Sequence, residues 1–355
     1  MSKPEKKTGG GAYAASGLFR VAIVGAGTLK GKELAELIPE TSFPAVDIKL
    51  LDDDESLGQL EAVGDEMTFV QSVRRENFDG VDFAFFASEE KFTKRNWKMA
   101  KEAGTVVVDL SYALDDEPGA QVRSPWVEHE TGAAPAPELE PAPVVVANPA
   151  AVALALLLLR AQKAGPLRTA AVTIFEPASE HGRRGMDELH EQTVNLLSFH
   201  DLPKDVFDAQ VAFNLLASYG EKAEPALKAS ERRIVEHLKK VAPAALVPAT
   251  ILIQAPIFHG HAFSLYVETE KRCSLGDFAQ ALAGEHVAIS RGSEEEPSNV
   301  SAAGQGEILV SVRHDSTREN GFWIWGAADN LRVLALNAVE CAQAMAAARP
   351  KGSLQ

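Results

Sequence analysis

Apolar and polar positions along this chain follow one rhythm in the first 150 residues and another afterwards. Residues 19–27 (FRVAIVGAG) form a β-branched run entering a glycine turn, and residues 30–38 (KGKELAELI) carry apolar side chains at helical spacing. Apolar runs at 46–52 (VDIKLLD), 81–87 (VDFAFFA) and 105–111 (TVVVDLS) alternate with helical stretches such as 94–104 (KRNWKMAKEAG). This is the βαβ rhythm of a parallel sheet, so residues 19–150 predict an α/β domain, a Rossmann-like doubly wound dinucleotide-binding fold.

From about residue 165 the pattern lengthens. Residues 168–177 (RTAAVTIFEP) and 248–258 (PATILIQAPIF) predict long strands, with helices at 182–199 and 227–241 between them. Residues 151–328 therefore predict an α+β substrate and dimerisation domain, whose sheet packs on a helix layer or on a second subunit. An Ala-rich helix at 330–348 closes the chain within a final segment, 329–350. The Pro/Ala-rich stretch 132–141 (GAAPAPELEP) predicts a surface loop.

The chain has 355 residues, 46% hydrophobic and 24% charged, enough for two domains with separate cores. A net charge of -15 with no basic tract excludes nucleic acid and anionic membranes as principal partners. The two cysteines, Cys273 and Cys341, are far apart, fit a reducing, cytoplasmic setting, and lie in no reactive motif. Residues 1–18, charged and Gly-rich, predict a disordered tail. The leucine run 154–159 predicts a buried helix, because Arg160 closes it well short of the ~20 apolar residues a membrane span needs.

Three places carry candidate chemistry. Gly25, Gly27, Thr28 and Gly31 surround a turn at the start of the first helix, where backbone N–H groups and the helix dipole favour a pyrophosphate. Asp52 and Asp53 follow the second strand, about 20 residues beyond Gly31, the usual distance for an acidic group that reaches a ribose hydroxyl. In the third, a strand-like run at 144–147 meets the Asn148-Pro149 corner and an apolar helix opening on Ala150-Ala151. His259 and His261 flank Gly260, but no third metal ligand stands at telling spacing, so no metal site is predicted.

The glycine turn, the Asn-Pro corner, FDAQVAFNLL (207–216), IQAPIFHGH (253–261) and DNLR…ALNA (329–338) together resemble the aspartate-β-semialdehyde dehydrogenase family, most closely its Usg-type branch, over residues 19–348. The resemblance implies NAD(P)-dependent interconversion of aspartate semialdehyde and aspartyl phosphate, and a homodimer. It also implies roles. The family reads Asn-Pro-x-Cys-Ser/Thr where this chain has Ala151, and a methyl group cannot form the thioester that a thiolate forms.

His261 falls on the family's catalytic base and Glu176 on the glutamine that orients the thioester. Gln254 falls on the arginine that clamps the substrate carboxylate, and Asp115 on the arginine for phosphate. Asn148 sits at the substrate corner, and Lys228, Glu231 and Arg232 lie on a helix of substrate contacts. NADP-using members carry Ser and Arg where Asp53 and Glu55 fall, so the acidic pair implies NAD over NADP.

Three readings follow. The chain is a family member without the ordinary activity. Alternatively it runs different chemistry with Glu176 and His261 as an acid-base pair, which requires the two to face one pocket within about 6 Å or through one water. The third reading is a structural or regulatory subunit.

Overall fold

A computed structural model describes residues 17–53, 57–64, 66–133, 142–224, 226–290 and 296–348. The tail expected over 1–18 lies outside these apart from Gly17 and Leu18. So do Glu55 and most of the loop expected over 132–141. The chain divides into two compact units. One holds residues up to Pro125, Ala134–Val146 and the chain from Ala335 onward; the other holds Trp126–Ala133 and Ala147–Leu334.

Unit 1 is built on a seven-stranded parallel sheet. Its strands are β1 (Phe19–Val24), β2 (Ala45–Asp52), β5 (Gln71–Ser72), β6 (Phe83–Phe86), β7 (Val106–Asp109), β8 (Gln121–Arg123) and β9 (Val144–Val146), in the order β5-β2-β1-β6-β7-β9-β8. Helices α1 (Leu29–Glu40) and α2 (Glu90–Glu102) alternate with the strands. A separate hairpin, β3 (Leu60–Val63) with β4 (Glu66–Phe69), has no counterpart in the sequence reading. Its short strands expose Leu60, Met67 and Phe69, so their apolar pattern carries no burial signal.

The observed strands are shorter than the apolar runs that announce them: 81–87 becomes Phe83–Phe86 and 105–111 becomes Val106–Asp109. The surplus residues are buried in the loops at the strand ends, where Asp109 accepts from the amides of Ser111 and Leu114 and from the Ser111 hydroxyl. Burial pushes the Asp109 carboxyl up, against those hydrogen bonds.

Unit 2 carries a six-stranded mixed sheet in the order β11-β10-β12-β15-β14-β13. These are β10 (Leu167–Glu176), β11 (Ala249–Gln254), β12 (His261–Thr269), β13 (Val287–Ile289), β14 (Ile308–His314) and β15 (Gly321–Ala328). The helices of the second half are α3 (Pro125–Thr131), α4 (Pro149–Ala164), α5 (Gly182–Leu197), α6 (Leu227–Val241), α7 (Leu275–Leu282), the single turn α8 (Asn299–Ala302) and α9 (Asn330–Ala348).

The 248–258 run is strand only to Gln254, and the chain then turns back through Gly260, whose positive φ of 81° suits a residue without a side chain. The partner of β10 on its other side, β12, begins at His261 and was not expected from the sequence.

Alternation gives this sheet one core face. Val172, Leu265 and Ile324 form one row across it, and Leu252, Ile174, Phe263 and Gly326 form the next. Gly326 makes room for the Phe263 ring, since a Cβ there would stand 2.3 Å from it. Helix α4 packs against β10 and β15 and against α6 and α7, and it is buried from Pro149 to Leu158 on nearly every side. The leucine run is thus a core helix. By length and composition α9 alone among the described helices could cross a membrane, and half of that stretch is buried within the fold.

Arg160 ends the buried part of α4. Its Nε and Nη2 reach Glu130 at 2.9 and 2.8 Å, and its Nη1 and Nη2 donate to the carbonyls of Leu282 and Glu285. Lys163 also pairs with Glu130. Burial alone would raise the Glu130 carboxyl, but hydrogen bonds from Lys163 and Arg160 outweigh it and hold the group below its ordinary value of 4.5. A depressed carboxylate adds stability above its unfolded value, and that increment drains away as pH falls through the folded value.

Replacing Glu130 by Gln should cost about 3 kcal/mol at pH 7, because a buried guanidinium loses its counter-charge. Denaturant titrations of both proteins should converge as the pH drops below 4.5. A gap that stays constant down to that range would refute this account of Glu130.

Candidate active site

In unit 1 the turn between β1 and α1 is set by contact distances. Gly25 has φ +86° and its Cα lies against Ser88, where a Cβ would come within 2.6 Å of backbone. A Cβ on Gly31 would stand 2.1 Å from the Gly25 carbonyl oxygen. Thr28 is the N-cap of α1: its hydroxyl accepts from the Gly31 amide at 3.0 Å, and its proton lies between the carbonyls of Gly25 and Ala87. The threonine therefore takes the capping place while Gly25 and Gly31 keep the close approach.

Asp52, at the end of β2, accepts the Gly27 amide at 2.7 Å and the Asp53 amide at 2.9 Å. Burial pushes its carboxyl up, against those two amides. Asp53 is exposed beside it. Lys30, which carried no expectation, donates to the Leu110 carbonyl at 2.8 Å and lies over the Tyr112 ring. Asp115 is half-buried in the following turn.

In unit 2, Asn148 caps α4. Its Oδ1 accepts the Ala150 amide at 2.9 Å, Pro149 takes the first helical position, and Ala151 lies fully buried in the first turn. The Asn148 amide donates to Nδ1 of His237, a buried residue of α6, at 3.0 Å. That bond requires an unprotonated Nδ1 and fixes the corner from behind.

The sheet's core face turns polar in its last row. Glu176 on β10 pairs with Gln254 on β11, and one step beyond the Phe175↔Ala262 pair it stands opposite His261 on β12, which pairs with Ala328. Residues directly opposite on antiparallel strands share a face, with Cβ atoms about 5 Å apart. Glu176, Gln254 and His261 are only 2%, 0% and 1% exposed.

Gln254 is fully engaged by the protein. Its Nε2 donates to the carbonyls of Glu176 at 3.0 Å and Ala255 at 2.8 Å, and its Oε1 accepts the Tyr219 hydroxyl at 2.6 Å. Tyr219 also lies 2.8 Å from His181 Nε2 and 3.1 Å from Glu176 Oε1. Burial, then the charge of Glu176, pushes the phenol well above its usual range, so it stays a donor. His181 Nε2 is 3.4 Å from Glu176 Oε1.

His261 differs from all of these. Neither ring nitrogen has a hydrogen-bond partner, and Nε2 stands 3.8 Å from Glu180 Oε1, too far for one. Glu180 is held instead by Asn330 Nδ2 at 2.8 Å, while Asn330 Oδ1 accepts from the Gly260 amide and the Ser179 hydroxyl. Asn330 thus fixes the turn that delivers His261.

Residues 20–154 match the family described as semialdehyde dehydrogenase, NAD binding domain, and residues 157–333 match semialdehyde dehydrogenase, dimerisation domain. The chain belongs to the semialdehyde dehydrogenase family. It is 32% identical over 327 residues to a USG-1 protein homolog of Pseudomonas aeruginosa, covering 90% of this chain and 96% of that one. To the aspartate-semialdehyde dehydrogenase of Rickettsia conorii it is 26% identical over 334 residues, covering 92% and 97%. The solved structure of a probable aspartate-semialdehyde dehydrogenase from Pseudomonas aeruginosa superposes with a TM-score of 0.81 at 31% identity, covering 92% of this chain and 98% of that one.

The unit 2 row brings together Glu176, Gln254 and His261. The glycine turn and Asp52 form a separate constellation in unit 1. Lys228, Glu231 and Arg232 lie elsewhere in unit 2, on α6, lining a cleft of about 330 Å³ with Pro248 and Thr250. There Glu231 accepts the amide of Leu252 on the edge strand β11, at 2.8 Å. Tyr219, His181, His237 and Asn330 were missed. Tyr219 and His237 lie far in sequence from the motifs they serve, and no local spacing announces them.

Replacing Tyr219 by Phe leaves the Gln254 Oε1 without its donor and should cost about 1–3 kcal/mol in chemical denaturation. Unchanged stability in that variant would mean the phenol does not hold the row together.

Proposed function

We propose that this chain is a dinucleotide-binding member of the family that has lost thioester chemistry. The observation that carries the reading is Ala151, buried in the first turn of α4 behind Asn148-Pro149, where the family motif places a thiol. Neither cysteine substitutes for it. Cys273 lies past the far end of β12, roughly 25 Å from His261 at the strand rise of ~3.3 Å per residue. Burial and the charge of Asp277 push its thiol up. Cys341 is buried in α9. The two cysteines are not joined in a disulfide, which supports a cytoplasmic setting.

A nicotinamide dinucleotide is the cofactor the glycine turn suits. The Gly25 and Gly31 contacts fit a helix start that receives a pyrophosphate, and Asp52 and Asp53 fit a ribose with a free 2′-hydroxyl. At about 5 Å, a carboxylate disfavours a 2′-phosphate by roughly 1–3 kcal/mol. When bound, the nicotinamide would supply or accept hydride.

An acid-base reaction by Glu176 and His261 without a thioester is a second reading, favoured by their opposed positions on β10 and β12 and by the unpartnered imidazole. Either reading includes a homodimer through unit 2. The outer face of its sheet carries the half-buried aromatic pairs Phe175–Trp325 and Tyr266–Trp323, and beyond the end of α5 Phe199 is 97% exposed.

Calorimetric titration should give NAD binding about tenfold or more tighter than NADP. In the same preparation, phosphate-dependent oxidation of aspartate semialdehyde should run several orders of magnitude below that of a thiol-bearing relative. A rate within tenfold of the relative would overturn the loss of activity; failure to bind either nucleotide would overturn the cofactor reading. Sedimentation at micromolar concentration should show a dimer, and Phe199→Asp or Trp325→Asp should shift it toward monomer.

A further inference from the structure

The geometry points to a small ligand bearing an ammonium or other N–H cation, in place of a carboxylate, at the polar row of unit 2. This rests on the reading that the row is the substrate pocket.

Gln254, which stands where a carboxylate clamp would be, cannot turn to a ligand. Both Nε2 hydrogens go to backbone carbonyls and Oε1 is held by Tyr219, so rotating the amide breaks three hydrogen bonds at once. Glu176 is in the opposite condition. Its Oε1 faces Tyr219 and His181, while its Oε2 has no hydrogen-bond donor among the described residues. The shorter Tyr219 contact, to Gln254 at 2.6 Å against 3.1 Å to Glu176, assigns the single phenolic proton to the amide and leaves the carboxylate short of donors.

Opposite it, His261 is buried with both nitrogens unpartnered. Buried polar groups without partners are costly. Here the imidazole bears that cost, and a ligand between it and the Glu176 carboxylate on the same face would relieve it. A carboxylate ligand would instead bring a second negative charge beside Glu176. An ammonium group donates to Glu176 Oε2 in a charge-assisted bond and leaves His261 to meet the adjoining polar atom of the ligand.

The probes are 1,4-diaminobutane and succinate, two four-carbon chains of opposite charge, titrated into the full chain. The readouts are the His261 imidazole carbon resonance, assigned by His261→Gln, and the melting temperature. The diamine should shift the resonance saturably, and succinate should not.

Glu176→Gln keeps the side-chain shape and removes the charge. It should weaken the diamine about tenfold or more. Because that substitution changes the overall charge of -15 by only one unit, general attraction of diamines to an acidic protein would survive it. The proposal fails if succinate binds as well as the diamine, or if the diamine response is the same in Glu176→Gln. NAD titration of both proteins separates the two ideas: lost nucleotide binding with a retained diamine response sinks only the cofactor reading, and the reverse sinks only this one.

Discussion

The last row of the unit 2 sheet sets the terms for the rest of the fold, because a core face that ends in the buried Glu176, Gln254 and His261 must satisfy polar groups as well as fill volume. An apolar row needs only volume; a polar one needs donors and acceptors counted one by one. Gln254 and Tyr219 close their accounts with each other and with two carbonyls. His261 does not close its own. The asymmetry within the row follows from proton counting rather than from the shape of a cavity.

The supports of this row come from outside the sheet. Tyr219 sits in the long connection after α5, His181 in the turn before it, and Asn330 at the start of α9. The connection itself is anchored by buried groups on α5: Glu188 accepts the amides of Val206 and Phe207, and Gln192 accepts those of Val211 and Ala212. A packed cluster of Leu189, Phe207, Val211 and Ala178 lies beneath. An irregular segment can therefore place a hydroxyl to within hydrogen-bond tolerance, since its backbone is held by side chains where no ladder is available.

Much of the architecture was legible because its signals are local. The β-branched runs of unit 1, the glycine turn and the Asn-Pro corner each state their conformation within a few residues, and α6 runs from Leu227 to Val241 as its periodicity requires. What stayed hidden is non-local. β12 carried no expectation in sequence; the turn at Gly260 precedes it, and it pairs antiparallel with β10. For the same reason the spacing of Glu176 and His261 could be posed as a condition but not read: 85 positions of chain separate two residues that the register sets face to face. His237 behind Asn148 is hidden likewise, an acceptor supplied from a helix with no motif of its own.

The two constellations also carry different weight. In unit 1 the glycines are demanded by packing alone: a Cβ on Gly31 would stand 2.1 Å from a backbone oxygen and one on Gly25 would stand 2.6 Å from the Ser88 backbone, so neither could change without moving the chain around it. Their presence is required whether or not a nucleotide binds. Asp52 differs: its two oxygens accept the Gly27 and Asp53 amides, and a neutral amide, with one acceptor oxygen, would satisfy only one of them while avoiding the cost of burying a carboxylate. At Glu176, by contrast, a glutamine would keep the side-chain shape at a lower desolvation cost, so packing does not demand the charge there. Each unit thus holds a buried carboxylate at its constellation, Asp52 held by two backbone amides in unit 1 and Glu176 in the polar row of unit 2.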